Sequence, residues 1–219
     1  MAMIKAGTWL AGAALAAVAV LAAPAAAQDA SQPGMAQRCA ALAGQQDGDV
    51  AITRATWFPE GRTIQGPPRF PAIAMAPHCQ VEGMINRRMG PAANGAQAEY
   101  GIGFELALPA EWNGRYLLMG GGGLNGSIRP PNGPVAAGTH DALSRGFAVA
   151  SHDSGHKGAG FDRSFFADQR AALDFAETSV RTVTQVTRGI VARYYGTQPH
   201  HSYMTGCSTG GREGMLASQ

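Results

Sequence analysis

The chain has 219 residues, with 17 Lys and Arg against 15 Asp and Glu and a formal net charge of +2. Charges that are so nearly balanced give no electrostatic case for binding nucleic acid or an acidic membrane surface, and they carry no information about a substrate. Glycine is abundant, at 30 residues. A short glycine motif therefore carries little weight in this chain unless the elements around it agree.

The N-terminal residues have the pattern of a secretory signal peptide. Met1–Ala27 begins with one lysine, Lys5, continues with an apolar run from Trp9 to Ala23 and ends in small residues. The run is short and alanine-rich for a membrane span, so cleavage after Ala27 is favoured over an uncleaved anchor. The chain is therefore predicted to be secreted or periplasmic, with no membrane association after cleavage.

The first part of the mature chain alternates between short apolar runs and turn residues. A short helical piece is predicted at Met35–Leu42, and the stretches Gly61–Pro77 and Arg87–Ala98 are predicted to be loops. Period-two alternation of apolar residues predicts strands, and these are Val50–Phe58, Cys79–Ile85 and Tyr100–Leu108.

Four consecutive glycines, Gly120–Gly123, directly follow a short apolar strand predicted at Tyr116–Met119. Glycines after a central strand allow backbone N–H groups to approach a substrate oxygen, as in the second half of an oxyanion hole. A flexible turn is an alternative, and a phosphate cradle is disfavoured because no Gly-Lys-Ser/Thr sequence follows. The glycines alone leave the first two interpretations open.

A polar loop follows the next buried strand, which is predicted at Phe147–Ser151. His152, Asp153 and His156 come at the carboxyl end of this strand, where sites form in open α/β sheets. Without a third spaced ligand these residues are weak evidence for a metal site, so hydrogen bonding that holds the loop is favoured. Asp153 and His156 are therefore candidate supporting residues beside the site, and no metal ligand is assigned.

One long helix is predicted over Asp168–Tyr195, because apolar residues recur at intervals of three and four and Gly196 ends the pattern. The chain order is then strand, glycine loop, strand, long helix and a last extended run at Pro199–Thr205. This order is typical of a doubly wound α/β sheet with right-handed crossovers. No internal repeat or low-complexity linker divides residues 28–219, which we assign to one domain.

The last stretch of the chain is a candidate strand-to-helix turn that displays a serine. Gly206, Ser208 and Gly210 satisfy the pattern G-x-S-x-G. Glycines are needed two positions either way because the serine lies in a strained backbone at a sharp bend. The helix that follows points free N–H groups towards developing negative charge, and the Thr209 N–H is the natural oxyanion donor. Ser208 is therefore the candidate nucleophile.

The segment Gly206–Arg212, which reads GCSTGGR, resembles the signature of the tannase and feruloyl esterase family of α/β-hydrolases. Trp112–Arg115 and the glycine run after it resemble the family at the corresponding place. The family has a similar Ser/Thr-Asp-x-Gly-His stretch around Asp153, in which His152 is a departure. The resemblance predicts an α/β-hydrolase-like doubly wound sheet.

The resemblance implies a serine ester hydrolase that works through an acyl-enzyme. Ser208 is then the nucleophile, and the N–H groups of Thr209 and of Gly121 or Gly122 hold the oxyanion. The implied substrates are small aromatic esters, such as gallate, ferulate or related phenolic or phthalate-type monoesters. No cofactor is expected in this segment, although the family's lid allows for a structural calcium ion. No oligomeric state is predicted.

Three cysteines are present, Cys39, Cys79 and Cys207, and an odd number in an exported chain indicates a thiol whose partner is missing from the segment. The simplest pairing joins Cys39 to Cys79, and a similar N-terminal bridge in the family supports it. In the family, the cysteine before the nucleophile bonds the cysteine after the catalytic histidine, which implies a partner for Cys207 beyond residue 219. Pairing of Cys79 with Cys207, and Cys207 as a small buried residue, are the alternatives.

The chain reaches Gln219 shortly after Ser208, whereas the family places its acid, its histidine and its lid domain later in the chain. Residues 28–219 are therefore expected to form the N-terminal half of the catalytic domain, ending just after the nucleophile elbow. Such a segment is expected to be insoluble or unfolded, and inactive, by itself, because it exposes a sheet edge and an apolar face. A peptidase of the same fold and a non-catalytic exported domain are the alternative functions.

Overall fold

The structure is a computed structural model that describes residues 34–66, 68, 71–135 and 138–219. The predicted signal peptide, Met1–Ala27, lies outside the described residues. The helices are α1 (Met35–Ala40), α2 (Gln169–Leu173), α3 (Ser179–Tyr195) and α4 (Thr209–Ala217). The strands are β1 (Gln46–Asp47), β2 (Val50–Phe58), β3 (Arg62–Ile64), β4 (Ile73–Met75), β5 (His78–Pro91), β6 (Gln97–Pro109), β7 (Arg115–Met119), β8 (Ala148–His152) and β9 (His201–Thr205). None of these described helices is long and apolar enough to cross a membrane.

Seven strands form one mixed sheet in the order β1-β2-β5-β6-β8-β7-β9, and β3 pairs with β4 in a separate hairpin. Strand β6 is antiparallel to β8, whereas β7 is parallel to both β8 and β9. Because β7 and β9 are parallel neighbours, the glycine run after β7 and the turn after β9 meet at the same edge of the sheet. Sites in open α/β sheets form at this edge.

Both faces of the sheet are buried around β6. Ile102, Phe104, Leu106 and Leu108 alternate along β6 and belong to the largest core cluster, while Ala107 lies in a second cluster on the opposite face. This is the side-chain period of two that a strand imposes. The helix α3 contributes to the largest cluster the residues Val180, Val183, Ile190, Val191 and Tyr194.

Two stretches that were predicted to be loops contain strands. The hairpin of β3 and β4 lies within Gly61–Pro77, and most of Arg87–Ala98 belongs to the ends of β5 and β6. The pairing of β5 with β6 shifts register between Ile85 and Arg88, and Asn86 between them has a φ of 56°. A bulge of this kind interrupts the alternation on which the strand prediction depends, so the predicted strand ended too early.

The helix predicted over Asp168–Tyr195 is present but is not uniform. The Asp168 carboxylate caps α2 by accepting the Ala171 N–H at 2.7 Å, and a π-helical turn, Asp174–Thr178, separates α2 from α3. Gly196 ends α3 with a φ of 78°, as its position in the sequence predicted. The spacing of apolar residues did not reveal the π-helical turn, because a π-helical turn widens only one turn of an otherwise regular helix.

A disulfide joins Cys39 in α1 to Cys79 at the start of β5, 40 residues apart in the chain. This is the pair that the sequence analysis favoured. It ties the first helix to a central antiparallel strand, where both sulfur atoms are buried in the core. Cys207 is exposed and has no disulfide partner in the part of the chain that the structure describes.

Candidate active site

Ser208 lies at the sharp turn between β9 and α4. Its backbone has a φ of 58° and a ψ of −121°, a conformation that costs a non-glycine residue about 1–3 kcal/mol. The side chain is exposed, and the hydrogen bonds of the described residues leave its hydroxyl unengaged. A strained, exposed serine between a strand and a helix is the geometry of a nucleophile elbow.

Gly120 and Gly210 bring the elbow into backbone contact with the loop after β7, and Gly206 allows the elbow itself to bend tightly. A Cβ atom at Gly206 would overlap the Gly210 carbonyl, and one at Gly210 would lie 2.8 Å from the Gly121 carbonyl oxygen. A Cβ atom at Gly120 would lie 2.6 Å from the Gly210 Cα. The Gly120 N–H also donates to the Thr205 carbonyl at 2.8 Å. Side chains at Gly120 or Gly210 would therefore separate the two segments.

Two of the three predicted oxyanion donors remain in place as candidates. The Thr209 N–H belongs to the first turn of α4, where N–H groups have no partner within the helix, and the Thr209 hydroxyl donates to the Gly123 carbonyl. The Gly121 N–H donates to Glu213 Oε2 at 2.8 Å. Because that hydrogen is already used, the prediction of Gly121 as a donor is corrected, and Gly122 is the glycine candidate.

Glu213 is a fully buried carboxylate beneath the glycine loop, and sequence reasoning missed it. Besides the Gly121 N–H on Oε2, its Oε1 accepts from Asn125 Nδ2 at 2.7 Å and from Ser154 Oγ at 2.9 Å. His152 Nε2 lies 3.8 Å from Oε2. One signal was available, because Glu213 follows Gly210 by three residues and so shares its helix face.

His152 is buried against Glu213. Burial lowers the pKa of His152, which outweighs the opposite effect of the Glu213 charge, so we expect a neutral ring at neutral pH. The ring accepts the Ser154 N–H on Nδ1 at 3.2 Å, which places its own proton on Nε2, facing the carboxylate. His152 therefore belongs to the buried group under the loop.

Asp153 and His156 hold the loop after β8 in place. Asp153 Oδ1 accepts the N–H groups of Gly103 at 2.9 Å and of Gly155 at 3.0 Å. Burial raises the pKa of Asp153 to about 7, although these hydrogen bonds act in the opposite direction. The His156 ring stacks on Phe165 at 3.7 Å between centroids, and burial lowers its pKa. Both residues thus have hydrogen-bonding and packing contacts of the kind that support a loop.

The raised pKa of Asp153 predicts a pH-dependent stability. A folded-state pKa of about 7 lies above the ordinary value of 3.8. The contribution of Asp153 to the free energy of unfolding is therefore complete below about pH 4 and is lost as the pH rises through 7. Asparagine does not titrate, so we expect Asp153→Asn to show no such loss. At pH 8, where the parent has lost up to about 4 kcal/mol of its free energy of unfolding, the variant should be at least as stable as the parent. Urea unfolding at pH 5, 6, 7 and 8 measures the difference. The exposed Asp47→Asn is the matched control, and an equal slope in all three proteins would contradict the prediction.

Arg212 anchors the elbow helix to the π-helical turn. Its guanidinium donates to the carbonyl oxygens of Phe175 and Ala176, both at 2.7 Å, and lies 4.5 Å from the centroid of the Phe175 ring. A π-helical turn leaves carbonyl groups without their usual helical partners. The arginine that ends the GCSTGGR segment therefore fixes the direction of α4.

Comparisons with known proteins show what the chain is similar to. The family model described as tannase and feruloyl esterase matches residues 81–219. The chain is 43% identical over 156 residues to mono(2-hydroxyethyl) terephthalate hydrolase of Piscinibacter sakaiensis, a match that covers 68% of this chain and 25% of that protein. It is 35% identical over 118 residues to feruloyl esterase C of Talaromyces stipitatus, covering 54% and 21%. The chain thus spans about a quarter of the length of the curated relatives it matches.

Solved structures confirm the predicted fold. The crystal structure of an esterase from Aspergillus oryzae superposes with a TM-score of 0.67 at 25% identity and covers 85% of this chain and 35% of that one. Feruloyl esterase B from the same organism gives a TM-score of 0.67 at 24% identity. The predicted α/β-hydrolase-like fold is therefore correct. Since the family model also covers more than half of the residues, the chain belongs to the tannase and feruloyl esterase family.

Proposed function

We propose that this chain carries the nucleophile and the oxyanion hole of an exported serine esterase that cleaves esters of aromatic acids. The observation that carries the proposal is the exposed Ser208, held at a φ of 58° directly before α4. The loop after β7 packs closely against this turn, with the backbone of Gly120 and Gly121 against Gly210. A nucleophile, a helix N-terminus and a second segment of backbone N–H groups are the parts that acyl transfer requires.

The proposed reaction proceeds through an acyl-enzyme. Ser208 Oγ attacks the ester carbonyl while a general base takes its proton, and the N–H groups of Thr209 and Gly122 stabilise the oxyanion of the tetrahedral intermediate. Collapse of this intermediate breaks the ester C–O bond, and the leaving alcohol takes up the proton. Water then attacks the acyl carbonyl, which releases the acid and restores the serine. None of the described histidines is hydrogen-bonded to the Ser208 hydroxyl. We therefore assign the base to a histidine later in the chain, as the resemblance to the family implies.

Two observations favour an aromatic acyl group. The relatives named above are a terephthalate monoester hydrolase and a feruloyl esterase, and both names denote esters of aromatic acids. In this chain Phe161 is 78% exposed, has a φ of 67° and packs its ring close to Gly123. Its backbone has a φ that is unfavourable for an aromatic residue and holds the ring beside the glycine loop. There the ring could pair with the aryl group of a substrate, and such aromatic pairs are stabilising beyond their buried area.

Export is the second half of the proposal. The pattern of Met1–Ala27 is that of a secretory signal peptide. A disulfide between Cys39 and Cys79 fits a compartment that is oxidising. Processing after Ala27 would be visible as the N-terminal sequence of the protein recovered from the periplasm or the medium.

The test combines turnover with covalent trapping in the protein as its gene encodes it. We expect hydrolysis of methyl ferulate, methyl gallate or mono(2-hydroxyethyl) terephthalate, and no cleavage of a peptide p-nitroanilide. A p-nitrophenyl phosphonate should release p-nitrophenolate and leave its phosphorus on Ser208 Oγ, where peptide mass spectrometry locates it. Cleavage of the anilide would favour a peptidase of the same fold. A label on another residue, or no turnover of any ester, would contradict the proposal.

A further inference from the structure

The hydrogen bonds beneath the glycine loop point to a second role for α4. We propose that Glu213 is a positioning residue that holds the loop after β7 so that the Gly122 N–H faces the oxyanion formed at Ser208. The proposal rests on the proposed esterase function, and it assigns a task to a carboxylate that takes no part in the proton transfers.

The geometry joins three segments at one side chain. Glu213 lies on α4, one and a half helical turns after Ser208, and its Oε2 accepts the Gly121 N–H at 2.8 Å. Its Oε1 accepts from Asn125, four residues further along the same loop, at 2.7 Å and from Ser154, in the loop after β8, at 2.9 Å. The helix that carries the nucleophile therefore holds the start of the loop at two points, Gly121 and Asn125.

The position of Gly121 shows why the carboxylate controls the loop. A Cβ atom at Gly121 would overlap the Asn125 side chain, so the loop folds tightly over the amide that Glu213 binds. The Gly121 N–H points down to Glu213 Oε2, and the next peptide unit carries the Gly122 N–H. Without the carboxylate, the Gly121 N–H would be left buried without a partner, which is unfavourable and favours rearrangement of the loop.

The charged and titratable groups that face Glu213 are few. His152 Nε2 lies 3.8 Å from Oε2, and Arg212 Nη2 lies 4.0 Å from Oε1 while its guanidinium is bonded to carbonyl oxygens of the π-helical turn. Glu213 is 0% exposed, so its three donors supply most of what water would otherwise provide. This buried carboxylate thus accepts hydrogen bonds from one backbone N–H, one amide and one hydroxyl of the two loops, as expected of a group that positions them.

The test compares three variants by kcat and KM for an aromatic ester, in the protein as its gene encodes it. An oxyanion donor acts in the transition state, so we expect Glu213→Ala to lower kcat by about 10²-fold while KM stays within about threefold. Glu213→Gln has the same shape, and its amide oxygen can still accept the Gly121 N–H. Its NH₂ group then faces Asn125, whose amide can flip so that Oδ1, which has no partner in the described structure, accepts a hydrogen bond from it. We expect Glu213→Gln to stay within about tenfold of the parent kcat.

Glu213→Asp keeps the charge but shortens the reach to Gly121. We expect it to lose at least about tenfold in kcat relative to Glu213→Gln, and this comparison decides the matter if Glu213→Ala does not fold. The exposed Glu60→Ala is the control. Parent-like kcat in Glu213→Ala, or equal kcat in the Gln and Asp variants, overturns the positioning role while the parent still hydrolyses esters. A parent protein that turns over no ester instead overturns the proposed function, so the two failures are distinguishable.

Discussion

Replacing Ser208 by alanine is expected to lower kcat/KM for an aromatic ester by about 10⁴-fold or more, since the covalent step loses its nucleophile while the oxyanion donors stay in place. The stability should be unchanged, because alanine and serine both carry a Cβ atom and experience the same strain at a φ of 58°. Initial rates with the purified protein measure the first effect, and thermal unfolding measures the second. Activity near the parent level in a folded Ser208→Ala variant would contradict the role of Ser208 as the nucleophile.

The control for this substitution lies on the strand that leads into the elbow. Ser202 is an exposed serine of β9, so Ser202→Ala makes the same chemical change outside the turn. We expect Ser202→Ala to keep the parent rate within about twofold. Phosphonate labelling should disappear in Ser208→Ala alone, which separates the loss of a nucleophile from a general loss of substrate binding.

The parts of this structure that could be predicted from the sequence are those with a local physical cause. Gly196 ends α3 because a left-handed residue is needed there, and the strand predicted at Val50–Phe58 is present with the same bounds. The bend of the elbow belongs to the same class, since a Cβ atom at Gly206 would overlap the carbonyl group of Gly210, four residues along the chain. Each of these features is decided by neighbours in the chain.

The parts that could not be predicted depend on contacts between distant segments. The bulge at Asn86 can be recognised only from the pairing of β5 with β6. Glu213 looked like an ordinary helix carboxylate, because its partner Gly121 is 92 residues away in the chain. The same contact explains the error over the oxyanion donors, since the glycine run alone does not show which N–H group is already used. The fold was therefore more predictable than the detailed arrangement of its site.

The contact between the elbow and the loop after β7 predicts a large effect from a single methyl group. In Gly210→Ala the new Cβ would lie 2.8 Å from the Gly121 carbonyl oxygen and 3.0 Å from the Gly120 carbonyl carbon. Two backbone segments would have to move apart, at a cost of about 1–3 kcal/mol in the free energy of unfolding. Because misplacing reacting groups by about 1 Å costs on the order of 10² in rate, we expect kcat/KM to fall by about that factor. Steady-state kinetics and urea unfolding measure the two effects.

Gly214 supplies a matched control four residues further along α4. A Cβ atom there would meet nothing within 4 Å, and alanine within a helix is more favourable than glycine by about 0.5–1 kcal/mol. We therefore expect Gly214→Ala to be slightly more stable than the parent and fully active, whereas Gly210→Ala is less stable and slow. The two substitutions change helix propensity in the same direction, so opposite outcomes would isolate the steric contact with the glycine loop. If both variants were stable and active, the elbow and the loop could separate without consequence, and the backbone contact would not be what assembles the oxyanion hole.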